Sequence, residues 1–201
     1  TAIHCVKWIP DGQPVCILQI VHGMAEYAER YEPFAKWLCD RGFLVTGDDH
    51  LGHGKTAVKR EDLGYFCETD PATVVVRDVH RLKKTVQAQY PGVPIFILGH
   101  SMGSFIVRNY TCRYGTGIQG AIIMGTGMTP KGLLKLTLGI ASIQEKIYGS
   151  HHISESLNKL AFSSYNKQIP NPRTSFDWLS VNEENVDKYI ADDLCGNTFT
   201  V

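Results

Sequence analysis

The pentapeptide Gly99-His100-Ser101-Met102-Gly103 stands between an apolar run, Pro94-Ile95-Phe96-Ile97-Leu98, and a helix-like stretch from Ser104 to Tyr114. A serine between two glycines at a strand-to-helix junction asks for a very sharp turn. The turn lifts the hydroxyl clear of the sheet edge. A side chain at either flanking position would strike the neighbouring strand or helix, so Gly99 and Gly103 carry none. Ser101 then lies at a helix N-terminus, where unpaired backbone N–H groups favour developing negative charge. This is the pattern of a nucleophile elbow, with Ser101 as the candidate nucleophile. The plainer alternative is a serine that only caps the helix.

The rest of the chain supports a sheet around that turn. Ile3 to Ile9 reads as a strand closed by Pro10-Asp11-Gly12. Val15 to Val21 is a near-continuous apolar run, the mark of a strand buried on both faces. Tyr31 to Asp40 reads as a helix with Pro33 in its first turn and Gly42 just past its end. Phe43 to Thr46 is a short strand. Asp70-Pro71 reads as an N-cap followed by the first helical residue, and Val75, Val79, Leu82 and Val86 then form one helix face. Val93 to Leu98 and Ala121 to Met124 are two further strands. Alternating strands and helices predict an α/β fold, a mostly parallel sheet with helices on both faces.

After Gly127 the pattern changes. Leu133, Leu134, Leu136, Leu138, Ile140, Ile143 and Ile147 mark a long apolar helix with Gly139 inside it, and a second helix is expected near Ser154 to Phe162. No strand follows clearly. The expected organisation is a core over residues 1–127 and an inserted helical cap over 128–201. The apolar helix reads equally as ordinary packing or as a lid that lines an acyl pocket and touches a lipid surface transiently.

With 201 residues the chain can bury a sizeable core, about 70% of its unfolded surface. Its 20 basic and 20 acidic residues cancel, so no overall field recruits nucleic acid or an anionic membrane. The six cysteines are scattered without a C-x-x-C pair, which fits neither a disulfide framework nor a zinc site. Reduced thiols are expected, with Cys16 in the core. No secretory signal or membrane-length apolar run is visible, and the expected compartment is the cytoplasm. The chain opens without Met inside an apparent strand, so a removed targeting segment stays open.

Four segments occur together in order: Val21-His22-Gly23-Met24, Arg30-Tyr31, Asp49-His50-Leu51-Gly52-His53-Gly54 and Gly99-His100-Ser101-Met102-Gly103. Together they resemble the monoacylglycerol lipase and lysophospholipase branch of the α/β-hydrolases, with a bacterial look, best from Ile3 to Met124. The resemblance implies a serine esterase acting on monoacyl glycerolipids or similar small acyl esters, without cofactor or metal. It carries Ser101 over as nucleophile and the backbone N–H groups of Met24 and Met102 as the oxyanion hole. The family's chain order is serine, acid, histidine. After Ser101 the only histidines are His151 and His152, both in the expected cap, with Asp177, Asp187, Asp192 and Asp193. The triad acid and base are therefore not named, and the chain is expected to be a fragment, inactive alone.

Other readings stay in view. A serine peptidase or acyltransferase of the same fold would use the same elbow, and a non-catalytic binding protein or inactive fragment would explain the unplaced acid and base. His22 is expected to brace its loop, His100 to pack beneath the turn, and His151-His152 to sit in an exposed loop. The spacing of His50 and His53 suggests metal ligands, but no carboxylate or cysteine cluster accompanies them.

Overall fold

The computed structural model describes residues 1–162 and 164–201, which form two compact units: Thr1–Asp62 with Phe66–Gly127, and Leu63–Tyr65 with Met128–Val201. The first unit holds a five-stranded sheet. Its strands are β1 (Cys5–Trp8), β2 (Cys16–Val21), β3 (Phe43–Asp48), β4 (Ile95–His100) and β5 (Gly120–Met124), in the order β1-β3-β2-β4-β5. β1 runs antiparallel to β3, and every other pairing is parallel. The first strand is shorter than the expected Ile3 to Ile9 because its ladder with β3 runs only from Cys5, opposite Asp48, to Trp8, opposite Val45.

Strand alternation sorts the core. Leu18, Ile20, Val45 and Leu98 point to one face and pack on Ala35 and Leu38 of α1 (Glu32–Cys39). Ile17, Leu44 and Ile95 point to the other and meet Leu82 and Val86 of α2 (Pro71–Gln89). Val21 and Ile97 continue that face against Val76 and Val79 of α2 and Val107 and Tyr110 of α3 (Met102–Tyr114). Helices cover both faces, as expected. Asp70 caps α2 by accepting a hydrogen bond from the Thr73 N–H, with Pro71 in its first turn, where a missing N–H costs nothing. Cys16 is buried, and none of the six cysteines is joined in a disulfide.

The second unit contains α4 (Lys131–Tyr148), α5 (Glu155–Phe162) and α6 (Glu183–Ala191). No residue of α4 is buried; Leu136, Leu138 and Ile147 are 57–65% exposed. α6 has no counterpart among the sequence expectations; it is a short helix that buries only Val186 and Tyr189 and whose N-cap, Asn182, accepts from the Glu184 N–H. Thr200 donates to the Gly64 carbonyl at 3.2 Å, and His151 stacks on Tyr65 with ring centroids 3.9 Å apart. No helix among the described residues is long and apolar enough to cross a membrane.

Candidate active site

Ser101 links β4 to α3 with φ 52° and ψ −119°, a conformation that L-residues rarely adopt. Its side chain makes no capping hydrogen bond, so helix capping does not account for it. The steric reason for both glycines is explicit. A Cβ on Gly99 would overlap the Gly103 carbonyl and come within 2.7 Å of Val107 Cγ2. A Cβ on Gly103 would overlap the Val21 carbonyl oxygen, with the His22 oxygen only 2.6 Å away. The first turn of α3 is therefore pressed onto the C-terminal end of β2. The turn is pinned from the other side by Ser101 N–H, which donates to the Met124 carbonyl at 2.9 Å.

The loop after β2 runs alongside. A Cβ on Gly23 would lie 3.2 Å from Ser101 Cβ and 3.4 Å from His100 Nδ1. Met24 is the next residue of that loop, and Met102 is the first residue of α3. The structure thus brings the Gly23 backbone to the elbow that carries Ser101.

The histidines hold this loop in place. The His50 N–H donates to His22 Nε2 at 3.1 Å, which leaves the His22 proton on Nδ1, 2.7 Å from the Gly23 carbonyl that accepts it. His22 therefore braces its loop, as expected. His22 stacks on His50 with centroids 4.0 Å apart, and His53 lies 5.1 Å from His22. Burial, reinforced by the other two histidines, holds His22 well below its usual pKa, and burial followed by His50 drops His53 to about 3. His22 and His53 are therefore neutral structural imidazoles. Asp49 extends the bracing: its carboxylate accepts from Ala28 N–H and Lys55 N–H, each at 2.8 Å. The described residues include no group of three or more His, Cys, Asp or Glu arranged to hold a metal.

His100 departs from expectation. It is not packed beneath the turn; its side chain is 37% exposed, and Nδ1 lies 3.2 Å from both Glu26 Oε1 and the Tyr31 hydroxyl. Glu26 is a site residue without a sequence expectation. It is buried, and it also accepts from Gly23 N–H at 2.6 Å, the Tyr31 hydroxyl at 2.9 Å and Arg30 at 2.8 Å. Burial pushes its pKa up, but the His100 hydrogen bond and then the Arg30 charge outweigh burial and hold it below the usual range. Its four-residue spacing to Arg30 was the available signal. A cleft of about 390 Å³ beside β1, lined by Ile3, Cys5, Arg81, Leu82 and Val86 among others, includes no residue of the elbow or its loop and is not this site.

A family profile described as serine aminopeptidase, S33, matches residues 12–201. The chain belongs to this family of α/β-hydrolases. It is 30% identical over 170 residues to a monoglyceride lipase homolog of monkeypox virus, covering 83% of this chain and 57% of that protein. It is also 30% identical over 195 residues to the monoglyceride lipase of Mus musculus, covering 96% of this chain and 56% of that protein. Among solved structures, a thermostable carboxyl esterase from Bacillus coagulans, crystallised with glycerol, superposes with a TM-score of 0.88 at 31% identity, over 98% of this chain and 63% of that one. The chain therefore spans little more than half the length of these curated relatives.

Proposed function

We propose that this chain carries the nucleophile and oxyanion-hole portion of a serine ester hydrolase acting on monoacylglycerols or lysophospholipids. The carrying observation is the strained Ser101 turn with the Gly23 backbone packed beside it. In this reading a general base takes the Ser101 hydroxyl proton while Oγ bonds to the ester carbonyl carbon. The carbonyl oxygen gains the electron pair and is held by the N–H groups of Met24 and Met102, each worth about 3 kcal/mol of barrier. Collapse breaks the bond to the alcohol, which leaves with the proton. Water then repeats the cycle on the acyl-enzyme and releases the fatty acid. The chemistry calls for no cofactor. The base is not assigned to His22, whose ring nitrogens are both engaged, or to His50, which is buried against Asp48.

Residues 1–127 are read as part of the hydrolase core and 128–201 as an inserted cap. The exposed apolar side chains of α4 support a lid that lines the acyl path or meets a lipid surface transiently. The aminopeptidase description of the family favours one second reading, hydrolysis of aminoacyl amides.

One experiment tests all three points. The intact protein is treated with an active-site serine probe and assayed on long-chain monoacyl esters, acetyl esters and aminoacyl amides. Labelling at Ser101 and preference for the long esters are expected, with both labelling and hydrolysis abolished in Ser101→Ala. Preference for the amides selects the second reading, and undiminished hydrolysis in Ser101→Ala removes Ser101 from the mechanism. Leu134→Asp or Leu138→Asp should lower the ratio of long-chain to acetyl activity, since each methylene buried is worth about 0.8 kcal/mol. An unchanged ratio in both folded variants reduces α4 to packing.

A further inference from the structure

Glu26 belongs to the loop after β2, with its carboxylate divided between two tasks. Oε2 takes the Arg30 guanidinium at 2.8 Å. Oε1 collects three groups from separate parts of the chain: the Gly23 N–H at 2.6 Å, the Tyr31 hydroxyl at 2.9 Å and His100 Nδ1 at 3.2 Å. The Tyr31 proton points at Glu26, so the His100 proton sits on Nδ1 and is directed at the same oxygen. One buried anion therefore joins the residue before Met24 to the residue before Ser101; Glu26 and His100 are 74 positions apart in the sequence.

The intervening backbone needs such a clamp. Ala25, between Met24 and Glu26, has φ 54°. A non-glycine residue in that region persists only where its surroundings over-determine it. A Cβ on Gly23 would stand 2.6 Å from Glu26 Oε1 and would displace the carboxylate from its hydrogen bonds. The loop is thus bent at Ala25 and tied at Gly23 by the same side chain.

We propose that Glu26 is a positioning residue, whose carboxylate fixes the Gly23–Met24 loop against the His100–Ser101 turn and so sets the spacing of the oxyanion donors on Met24 and Met102. This rests on the functional reading above for its catalytic consequence, but not for its geometry. Charge-assisted bonds in a buried setting are stronger and more directional than neutral ones. Glu26→Gln keeps the side-chain shape and removes the charge.

The test uses the intact protein and compares wild type with Glu26→Gln, Tyr31→Phe and Glu29→Gln. Glu29 is a control, a nearby carboxylate on the surface paired with Lys55 at 2.7 Å. Amide hydrogen exchange is read at Gly23, with Ile97 and Val107 as core references. Ester hydrolysis is expressed as kcat per site titrated with the serine probe, and KM is measured beside it. In Glu26→Gln, Gly23 should exchange about tenfold faster while the references hold. kcat per titrated site should fall about ten- to a hundredfold with KM little changed, since a misplaced donor loses less than a deleted one. Tyr31→Phe should move both in the same direction by less, and Glu29→Gln should move neither. A residue that only supports folding would lower the number of titratable sites and leave kcat per site alone; that result overturns the proposal. So does unchanged Gly23 exchange in folded Glu26→Gln. If that variant does not fold, wild-type exchange and kcat in Tyr31→Phe overturn it instead. A wild-type protein that takes no probe and cleaves no ester overturns the functional reading, and the exchange readout then decides the loop clamp by itself.

Discussion

β2 and β5 belong to one sheet and are written in the same apolar alphabet, yet they meet opposite surroundings. All six residues of β2 are buried, between β3 and β4 and under helices on both faces. No residue of β5 is buried; Ile122, Ile123 and Met124 are 46%, 38% and 44% exposed, and β4 is its single strand partner among the described residues. Burial is thus a property of sheet order and not of the strand's own sequence. The elbow sits where the two environments meet, with Gly103 against the buried end of β2 and Ser101 N–H on the exposed end of β5.

The largest expected effect follows directly. Ile20→Ala, in the β2 core, should cost about 2–5 kcal/mol in urea unfolding, the transfer term plus the cavity left behind. In this 201-residue chain Ile123→Ala should cost clearly less, because its side chain is already 38% exposed and leaves a smaller cavity. Equal costs would break the comparison and show that β5 is covered in solution by another strand or another copy.

The second effect concerns acid, and it falls on the β2–β3 side. His53 is held neutral with a pKa of about 3, and His22 is lowered in the same direction. In the unfolded chain each titrates near the ordinary 6.5. Between the two values the unfolded state binds protons that the folded state does not, so stability is complete above pH 6.5 and falls as the pH drops. His53 alone should remove about 2 kcal/mol by pH 5. Asp49 has the opposite sign, since burial raises its pKa. The decisive measurement is therefore the difference between wild type and His53→Gln, unfolded at pH 7.5 and pH 5. Wild type should lose about 2 kcal/mol more over that interval; parallel losses would mean the imidazole is protonated in the folded protein.

The same contrast explains what could be read from the sequence. The strands, the Asp70-Pro71 helix start, the elbow and the apolar α4 are local patterns, and each lies within a few residues of its expected bounds. Exposure of β5 was not legible, because nothing inside Gly120–Met124 records which strands flank it. α6 was missed because two buried residues make a weak periodic signal. Glu26 has no sequence expectation, and His100 departs from its own, for a different reason. Their contact spans 74 positions, and only the fold brings a carboxylate from the loop after β2 to the end of β4. The short-range half of that network, Glu26 with Arg30 at helical spacing, was visible but reads as an ordinary surface pair until burial is known.

The smallest effect probes the junction itself. Ser101 holds φ 52° and ψ −119° between a well-packed strand end and an exposed one. Such a conformation costs an L-residue about 1–3 kcal/mol, and glycine adopts it without that penalty. Glycine also gives the unfolded chain more freedom, which returns part of the gain. Ser101→Gly should therefore raise stability by about 1 kcal/mol while removing the hydroxyl that the proposed chemistry needs. Ser104→Gly is the matched control. Ser104 is helical and buried, and its hydroxyl donates to the Ser101 carbonyl at 2.5 Å, so its loss should destabilise. Opposite signs at two serines three residues apart would identify strain kept for function, since packing alone would make both substitutions costly. If Ser101→Gly is destabilising as well, the turn is relaxed in solution, and the strain argument for Ser101 fails while the steric argument for Gly99 and Gly103 stands.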